Sequence, residues 1–209
     1  MNPPATTKER LLAAACGVFA EKGFRDTTVA EICETAEANI AAVNYHFGNK
    51  EALYDAVWHE AFKLTSDAFP IDEQLPEEPA LVDYLYSFAH ALLHRMFSET
   101  ESGLFPKLLY REMATPTLAL DRIAEEVLIP QSEFLGRALR TALGDAMDEK
   151  QLLCCMHSII GQCAFYNFSR PLRERVLGIR TMDPEEVDRT ARHIAIFSLG
   201  GLKEIMQEK

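Results

Sequence analysis

Two short segments with helical periodicity follow one another between Thr27 and Lys50, and each begins with a residue suited to capping a helix. Thr28 stands three residues before Glu31, the spacing of a capping box, in which the hydroxyl and the carboxylate each accept a hydrogen bond from a free backbone N–H. The pattern therefore predicts a helix that starts after Thr28. Its inward face is formed by Val29, Ile32, Cys33 and Ala36, which recur three and four residues apart.

A second short helix is predicted directly after the first. Only two residues separate the segments, which is enough for a tight turn, and Asn39 is a favourable N-cap. The second helix is predicted over residues 40–47. Its buried side is formed by Ile40, Val43 and Phe47. Helix, short turn and helix is the outline of a DNA-reading motif, although an ordinary helical hairpin has the same spacing.

The side chains on the outward side of the second helix, and just beyond its end, suit contact with DNA. Three are small or polar, which lets a helix approach base edges, and asparagine can pair with adenine through two hydrogen bonds. The other three can reach phosphate oxygens through a hydroxyl, an imidazole and an ammonium group. These two groups are Ala41, Ala42 and Asn44, then Tyr45, His46 and Lys50. For Lys50 the alternative is an ordinary solvated side chain.

The segment from Lys8 to Phe62 resembles the N-terminal domain of the TetR/AcrR family of transcriptional regulators. The shared elements are an apolar first helix, a Gly-Phe turn at residues 23–24 and a double threonine. They also include the run formed by Tyr45, His46, Phe47, Lys50 and Leu53. The resemblance covers about a quarter of the chain. It implies an all-α protein with a helix-turn-helix three-helix DNA-binding domain followed by a helical ligand-binding and dimerisation domain.

The resemblance also implies roles for individual residues. It makes Thr28 and Asn39 helix caps near the DNA backbone. Ala41, Ala42 and Asn44 face the groove, and the phosphate contacts are Tyr45, His46 and Lys50. Two positions depart from the family pattern. Glu37 stands where many members have glycine, which places an anion near the DNA. Asn44 replaces a frequent tyrosine, so the base preference of other members does not carry over.

The net charge of -11 at pH 7 argues at first sight against a nucleic-acid binder, because affinity for phosphate depends on Lys and Arg. The charge is unevenly distributed, however. Residues 1–50 contain five basic and six acidic residues, whereas the rest of the chain contains sixteen and twenty-six. The acidity therefore belongs to the body of the protein. There it either suppresses non-specific adhesion to DNA or reflects ordinary bacterial acidity.

Helical patterns continue along the rest of the chain, with no strand alternation and no glycine-rich phosphate loop. The predicted helices span residues 7–22, 49–69, 80–98, 104–114, 117–143 with a kink or break at Pro130, 148–169 and 184–206. Residues 71–79 are the best candidate linker, and residues 171–181 are predicted to form a loop. We place a DNA-binding domain in residues 1–50, extending into the helix from 49, and an effector-binding and dimerisation domain in residues 51–209.

The last two long helices have apolar faces wider than one small domain needs. We therefore expect them to form a four-helix bundle with a second copy across a two-fold axis. The predicted contact residues are Leu152, Met156, Ile160, Ala195, Leu199 and Leu202.

Residues 108–130 and 161–171 resemble the C-terminal domain of the CecR-like subgroup of the same family, which implies a small-molecule effector. A pocket between helices would be lined by aromatic residues and one arginine. The candidates are Phe88, Phe97, Tyr110, Arg111, Phe165 and Tyr166. Such aromatics could equally be plain core, and Arg111 could pair with Glu112 either to orient a ligand or to tie two helices together.

Other chemistry has weaker support. His90 and His94 stand four residues apart and could both bind one metal ion, but further ligands at a recognisable interval are missing, so we predict surface or core histidines. The five cysteines are predicted to be free, buried thiols. No nucleophile, base and orienting group occur together, so we predict neither an enzyme nor a cofactor.

The sequence thus predicts a cytoplasmic repressor that binds double-stranded operator DNA as a homodimer, responds to a small-molecule effector and does not contact a membrane. Neither a signal peptide nor an apolar run long enough to span a bilayer is visible. The alternative is a helical small-molecule binding or carrier protein whose helix-turn-helix is an accident of packing.

Overall fold

A computed structural model describes residues 5–144, 147–179 and 181–207, and every regular element among them is helical. The predicted all-α class is therefore confirmed. The α-helices are, in chain order, α1 (Thr7–Asp26), α2 (Val29–Thr35), α3 (Ile40–His46), α4 (Lys50–Ala68), α5 (Leu81–Phe97), α6 (Leu104–Ala114), α7 (Ala119–Ile123), α8 (Ile129–Leu143), α9 (Glu149–Phe168), α10 (Arg170–Leu177) and α11 (Pro184–Gln207).

The chain forms two compact units that are not simply consecutive in sequence. The first contains the described residues up to Ala68 together with Glu99–Ala124, and the second contains Phe69–Ser98 and the described residues from Glu125 onward. Helices α6 and α7 thus belong with α1 to α4. The functional boundary near residue 50 stays a prediction, because a division by packing does not test it.

In the first unit, α1 packs against α2, α3, α4 and α6. Its helical conformation is interrupted at Gly23, whose φ of 78° is a left-handed value that glycine adopts without strain. The inward residues predicted for α2 lie against this core, with Ile32, Cys33 and Ala36 fully buried. Ile40 was expected to be buried and is 55% exposed, because the α3 side chain that enters the core is Val43.

A row of aromatic rings fills the space between α1, α4 and α6. The ring centroids are 4.8 Å apart for Phe19 and Tyr54, 6.0 Å for Tyr54 and Trp58, and 5.6 Å for Trp58 and Phe105. All four residues are buried. Aromatic side chains bury large apolar areas, so this row accounts for much of the packing of α4 in the first unit.

Glu112 on α6 is a buried carboxylate that is held by neutral donors. One oxygen accepts a hydrogen bond from the Tyr54 hydroxyl at 2.8 Å, and the other accepts from the backbone N–H and the hydroxyl of Thr117 at 2.6 and 2.7 Å. Burial, and then the adjacent carboxylate, raise the pKa of Tyr54, which keeps its hydroxyl protonated as a donor. The predicted pairing of Arg111 with Glu112 is therefore wrong. Arg111 is exposed and donates to the backbone carbonyl of Glu21 instead.

The second unit is built around α5, which packs against α8, α9 and α11. Arg95 carries a guanidinium group into this unit and is only 5% exposed. Its Nε and Nη2 donate to the carbonyl of Phe69 at 3.0 and 2.7 Å, and burial lowers its pKa to about 10. The Ser87 hydroxyl donates to the carbonyl of Ile71 at 2.7 Å. Together these bonds fix residues 69–71 against α5.

Two parts of the later chain differ from the sequence prediction. The long helix predicted around Pro130 is divided by a π-helical segment, Ala124–Leu128, so that the proline falls in the first turn of α8, where its missing N–H is tolerated. The loop predicted over residues 171–181 is largely helix α10, which ends at Leu177 and is followed by the C-cap Gly178 with φ 69°. Arg180, in the same predicted loop, lies outside the described residues.

All five cysteines lie within the described residues and are free thiols. Four of the cysteines are buried, and burial raises the pKa of Cys16 and Cys163 to about 12. Cys154 is exposed, contrary to the expectation that all five are buried. Within the described ranges, no helix has the length and apolar character needed to cross a membrane.

Replacement of Glu112 tests whether α6 is an integral part of the first unit. Glu112→Leu leaves the buried Tyr54 hydroxyl and the half-buried Thr117 N–H without their acceptor. The loss costs about 1–3 kcal/mol for a fully buried group and less for a half-buried one. We expect the free energy of unfolding, measured by urea denaturation, to fall by about 2 kcal/mol or more. Adding Tyr54→Phe should restore part of that loss, because it removes one of the unsatisfied donors. An unchanged midpoint in Glu112→Leu would contradict the assignment.

Candidate DNA-binding surface

The predicted capping box at the start of α2 is present. The Thr28 hydroxyl accepts from the backbone N–H of Glu31 at 3.2 Å, and the Glu31 carboxylate accepts from the backbone N–H of Thr28 at 2.8 Å. Lys22 donates to the same carboxylate at 2.5 Å. This ammonium group, followed by the hydrogen bonds from Thr28, lowers the pKa of Glu31 to about 2, so the cap remains ionised at neutral pH.

Helix α3 is held at one point and exposed along its outer side. The Asn39 side chain accepts from the backbone N–H of Ala42 at 2.9 Å, which is the predicted N-cap, and Val43 is completely buried. On the other side Ala41 and Asn44 are exposed, and Tyr45 is 84% exposed. Ala42 and His46 are half-buried at the edges of this face. The result is a rigid helix face with small and polar residues at its centre.

Lys50 lies at the first position of α4, beside this face. The Asn49 side chain caps α4 by accepting from the backbone N–H of Ala52 at 2.7 Å. The Lys50 ammonium lies 4.4 Å from the centroid of the Phe24 ring, a cation–π contact. The half-buried Lys50 side chain therefore packs against the Phe24 ring when no DNA is bound.

The turn between α2 and α3 contains Glu37, one of the two residues that depart from the pattern of the family that this segment resembles. Glu37 has φ 50°, the only left-handed value of a non-glycine residue in the described chain. A side chain with a Cβ adopts this conformation at a cost of about 1–2 kcal/mol. Glu37 is exposed, so its carboxylate lies in the solvent between the two short helices.

The residues predicted to line an effector pocket do not fall in one unit. Tyr110 and Arg111 are exposed on α6 in the first unit, and the others belong to the second. Within the second unit, Phe88 and Phe97 are buried in the core, whereas Phe165 and Tyr166 line an open groove. Of the six, only Phe165 and Tyr166 line the same groove.

The predicted dimer-contact residues mostly face the interior of their own subunit. Four of them are buried among the core side chains around α5: Leu152, Met156, Ala195 and Leu202. Ile160 and Leu199 are half-buried against the same core. These four side chains are thus enclosed largely by their own subunit, and their role as dimer contacts stays a prediction.

The outer faces of α9 and α11 carry apolar residues that the sequence analysis missed. Ile196 and Phe197 are 66% and 67% exposed on α11, and Leu153 and Phe165 are exposed on α9. Ile196 and Phe197 stand four and three residues before Gly200, which is a helix-face spacing that could have indicated this surface. Both helices are thus apolar on two sides, and the pattern alone does not say which side faces inward.

His90 and His94 are neighbours on α5, with ring centroids 4.4 Å apart. Burial lowers the pKa of both imidazoles, which favours their neutral form. His94 stacks on Phe69 and His90 contacts the ring of Tyr86. Across the described residues, no group of three or more potential ligands could hold a metal ion. The two histidines therefore pack as aromatic side chains of the second unit.

Comparison with known proteins bears directly on this surface. Residues 11–57 match the family model for bacterial regulatory proteins of the tetR family, and residues 81–202 match the model for the C-terminal domain of the HTH-type transcriptional dual regulator CecR. The chain belongs to the TetR family. Its C-terminal part is of the CecR type, and members of this family are DNA-binding transcriptional regulators rather than enzymes.

Individual relatives of this TetR family protein agree with the match. The HTH-type transcriptional dual regulator CecR of Shigella flexneri is 26% identical over 202 residues, which cover 90% of each chain. Among solved structures, the TetR family regulator PfmR of Thermus thermophilus has a TM-score of 0.66 at 19% identity, covering 93% of this chain and 96% of that one. FadR of Bacillus subtilis, in complex with stearoyl-CoA, has a TM-score of 0.69 at 14% identity, covering 92% and 97%. The structural matches show the shared fold.

Replacing Glu37 separates backbone strain from charge. Glu37→Gly relieves the left-handed conformation, and we expect the free energy of unfolding to rise by about 0.5–1 kcal/mol in urea denaturation. Glu37→Ala keeps the strain and should not raise it. Both variants remove the anion, so both should bind any duplex more tightly at low salt. Equal stability of the glycine and alanine variants would show that the turn is not strained.

Proposed function

We propose that this TetR family regulator is a repressor that binds a two-fold symmetric operator as a homodimer and is released from it by a small-molecule effector. The observation that carries the proposal is the exposed outer face of α3, held rigidly by the Asn39 cap and the buried Val43. An α-helix with a face of this kind fits the major groove of B-DNA.

The roles of the α3 residues follow from their chemistry and exposure. Asn44 is exposed on the central part of the face, where an amide can pair with the edge of an adenine, and Ala41 lets the helix approach closely. Tyr45, His46 and Lys50 lie toward the end of the helix and beyond, where a hydroxyl, an imidazole and an ammonium can bind phosphates. Thr28 and Asn39 place the starts of α2 and α3 near the DNA backbone.

The homodimer would form through the outer faces of α9 and α11. Exposed apolar residues on both helices, including Ile196 and Phe197, make a surface of the kind that marks protein–protein contacts. Gly161 on α9 and Gly200 on α11 are exposed, and in the described part of the chain no heavy atom beyond their own helix backbone lies within 4 Å of where a Cβ would be, so another helix can approach closely there. Two copies paired in this way present two α3 helices, which must lie about 34 Å apart to enter successive major grooves.

Release from the operator requires a second arrangement in which the distance between the two α3 helices no longer matches the groove spacing. An effector can shift the balance toward this arrangement only by binding it more tightly. The FadR neighbour was solved with stearoyl-CoA, which supports a small-molecule effector for a chain with this fold.

Lys50 and Asn44 provide a matched test of DNA recognition. Lys50→Ala should weaken binding to all duplexes and reduce the slope of log K against log salt by about 1, because a phosphate contact carries no base information. Asn44→Ala should instead change which operator is preferred, at about 1–3 kcal/mol for the affected base pair. Binding is measured by fluorescence anisotropy over a range of salt concentrations on operators selected from genomic fragments.

The control for this pair is Lys203→Ala, an exposed lysine on α11. It removes the same charge far along the chain from α3 and should leave the slope unchanged. An unaltered slope in Lys50→Ala would remove that residue from the phosphate contacts. Uniform weakening in Asn44→Ala would show that Asn44 does not read bases.

The dimer surface can be tested with Phe197→Glu. A charge at this exposed position should convert the dimer to a monomer in sedimentation velocity while the helix content remains unchanged, because the side chain does not belong to the core of its own subunit. Operator affinity should fall by about 10²-fold or more, since the two half-sites no longer bind jointly. Leu118→Glu is the matched control, as Leu118 is 94% exposed in the first unit. A persistent Phe197→Glu dimer would place the interface elsewhere.

A further inference from the structure

Two neighbouring histidines on α5 form one half-buried group in the second unit. The ring centroids of His90 and His94 lie 4.4 Å apart, and both side chains are half-buried. Within the described ranges, neither imidazole makes a hydrogen bond or an ion pair. Their contacts are with rings: His90 lies against Tyr86, with centroids 5.5 Å apart, and His94 stacks on Phe69 at 5.2 Å. Both histidines are therefore packed as aromatic rings, while water can still reach them.

The charged groups around the two histidines do not bind them directly. On α11, the Asp188 carboxylate accepts a hydrogen bond from the Tyr86 hydroxyl and another from Nε of Arg192, the latter at 3.1 Å. Glu73, in the turn between α4 and α5, is exposed and acts on both imidazoles only through its charge. A proton taken up by either histidine would thus enter a half-buried place where no carboxylate is bound to the ring.

Protonation of the two histidines is therefore unfavourable in the folded protein. Burial, first of all, lowers the pKa of both imidazoles, and the charge of His90 lowers the pKa of His94 further. The carboxylates of Asp188 and Glu73 raise both pKa values, and Arg192 lowers that of His90, but burial outweighs them. An unfolded histidine keeps its ordinary pKa of about 6.5. Above about pH 6.5 the pair is neutral in both states, and below it the folded state loses stability, because the unfolded chain binds more protons.

The histidine pair contributes to holding the stretch of chain that directly follows α4. Phe69 is the first residue of that stretch, and its ring is stacked on His94 with an interplanar angle of 17°. Its carbonyl accepts hydrogen bonds from Arg95, and the carbonyl of Ile71 accepts one from Ser87. Neither a guanidinium nor a hydroxyl changes its charge at mildly acidic pH, whereas an imidazole does. His94 is therefore the part of this attachment that responds to such a change.

We propose that His90 and His94 form a pH-sensitive lock, which holds residues 69–71 against α5 while both imidazoles are neutral and loosens them when the pair takes up protons. Two imidazolium ions this close repel each other. The attraction of a protonated His94 to the Phe69 ring is weaker than the hydration that it gives up there, so the ring turns toward water. The lock lies within the second unit and does not depend on the proposed repressor function. It acts on the stretch through which the chain passes from the first unit to the second.

The test follows cleavage of the full-length protein after Glu73 by a glutamate-specific protease, at about pH 7.5 and about pH 5.5. Cleavage requires the segment to leave α5. Each rate is divided by that of a free peptide of residues 69–79, which corrects for the pH dependence of the protease. His94→Phe keeps a ring against Phe69 but cannot be protonated. His59→Phe, the matched control, makes the same change at an exposed histidine of α4.

We expect the corrected cleavage rate of the wild type to rise by roughly threefold or more at the lower pH, because the open segment becomes more populated. The rise should be lost in His94→Phe and kept in His59→Phe. The proposal is overturned if the wild-type rate does not change with pH, or if it rises equally in His94→Phe.

Histidine NMR of the wild type provides a second measurement that needs no variant. Both imidazoles should titrate below their ordinary pKa in two coupled steps, and the ring signals of Phe69 should shift over the same pH range. Independent titration of His90 and His94 near their ordinary value of about 6.5 would contradict the proposal. Ring signals of Phe69 that stay constant while the histidines titrate would do so as well.

Discussion

The DNA-binding surface depends on two helices of seven residues each, which are too short to persist alone in water. Side-chain caps at Thr28 and Asn39 satisfy backbone donors at their starts, and the burial of Ile32 and Val43 fixes them against α1. Each cap contributes about 1 kcal/mol, which matters for a helix with so few internal hydrogen bonds. The exposed face of α3 therefore has a fixed orientation, because the opposite side of the helix is buried against α1.

The second unit shows the opposite arrangement, in which apolar side chains exceed what its own core can bury. Helices α9 and α11 contribute one side to the core around α5 and leave another side exposed, and α10 buries nothing. Exposed apolar surface of this kind is either covered by another molecule or makes the protein prone to aggregation. The proposed dimer would cover part of this surface with a second copy.

Local features were predictable from the sequence, and long-range ones were not. Asp183 accepts a hydrogen bond from the backbone N–H of Glu186, and Asp148 accepts one from the backbone N–H of Gln151, both at 2.8 Å. Caps of this kind are encoded within four residues, and the starts predicted at residues 184 and 148 lie within one residue of the starts of α11 and α9. Helix α10 was missed because four of its eight residues are charged, it lacks a side-chain cap and it has a proline at its second position. Which helices pack together decides which side of α9 and α11 faces inward. It also decides that Tyr110 and Phe88 belong to different units. The pattern of a single helix does not contain that information.

The inclusion of residues 99–124 in the first unit has a consequence for how the protein is made. On the ribosome, α1 to α4 emerge well before α6. Until α6 emerges, Trp58 lacks its contact with the Phe105 ring and Tyr54 lacks its hydrogen bond to the Glu112 carboxylate. The core of the first unit is complete only after residues 99–124 have left the exit tunnel. A gene fragment that ends at Ala68 would therefore encode every residue expected to touch DNA and still lack part of the interior that keeps those residues in place.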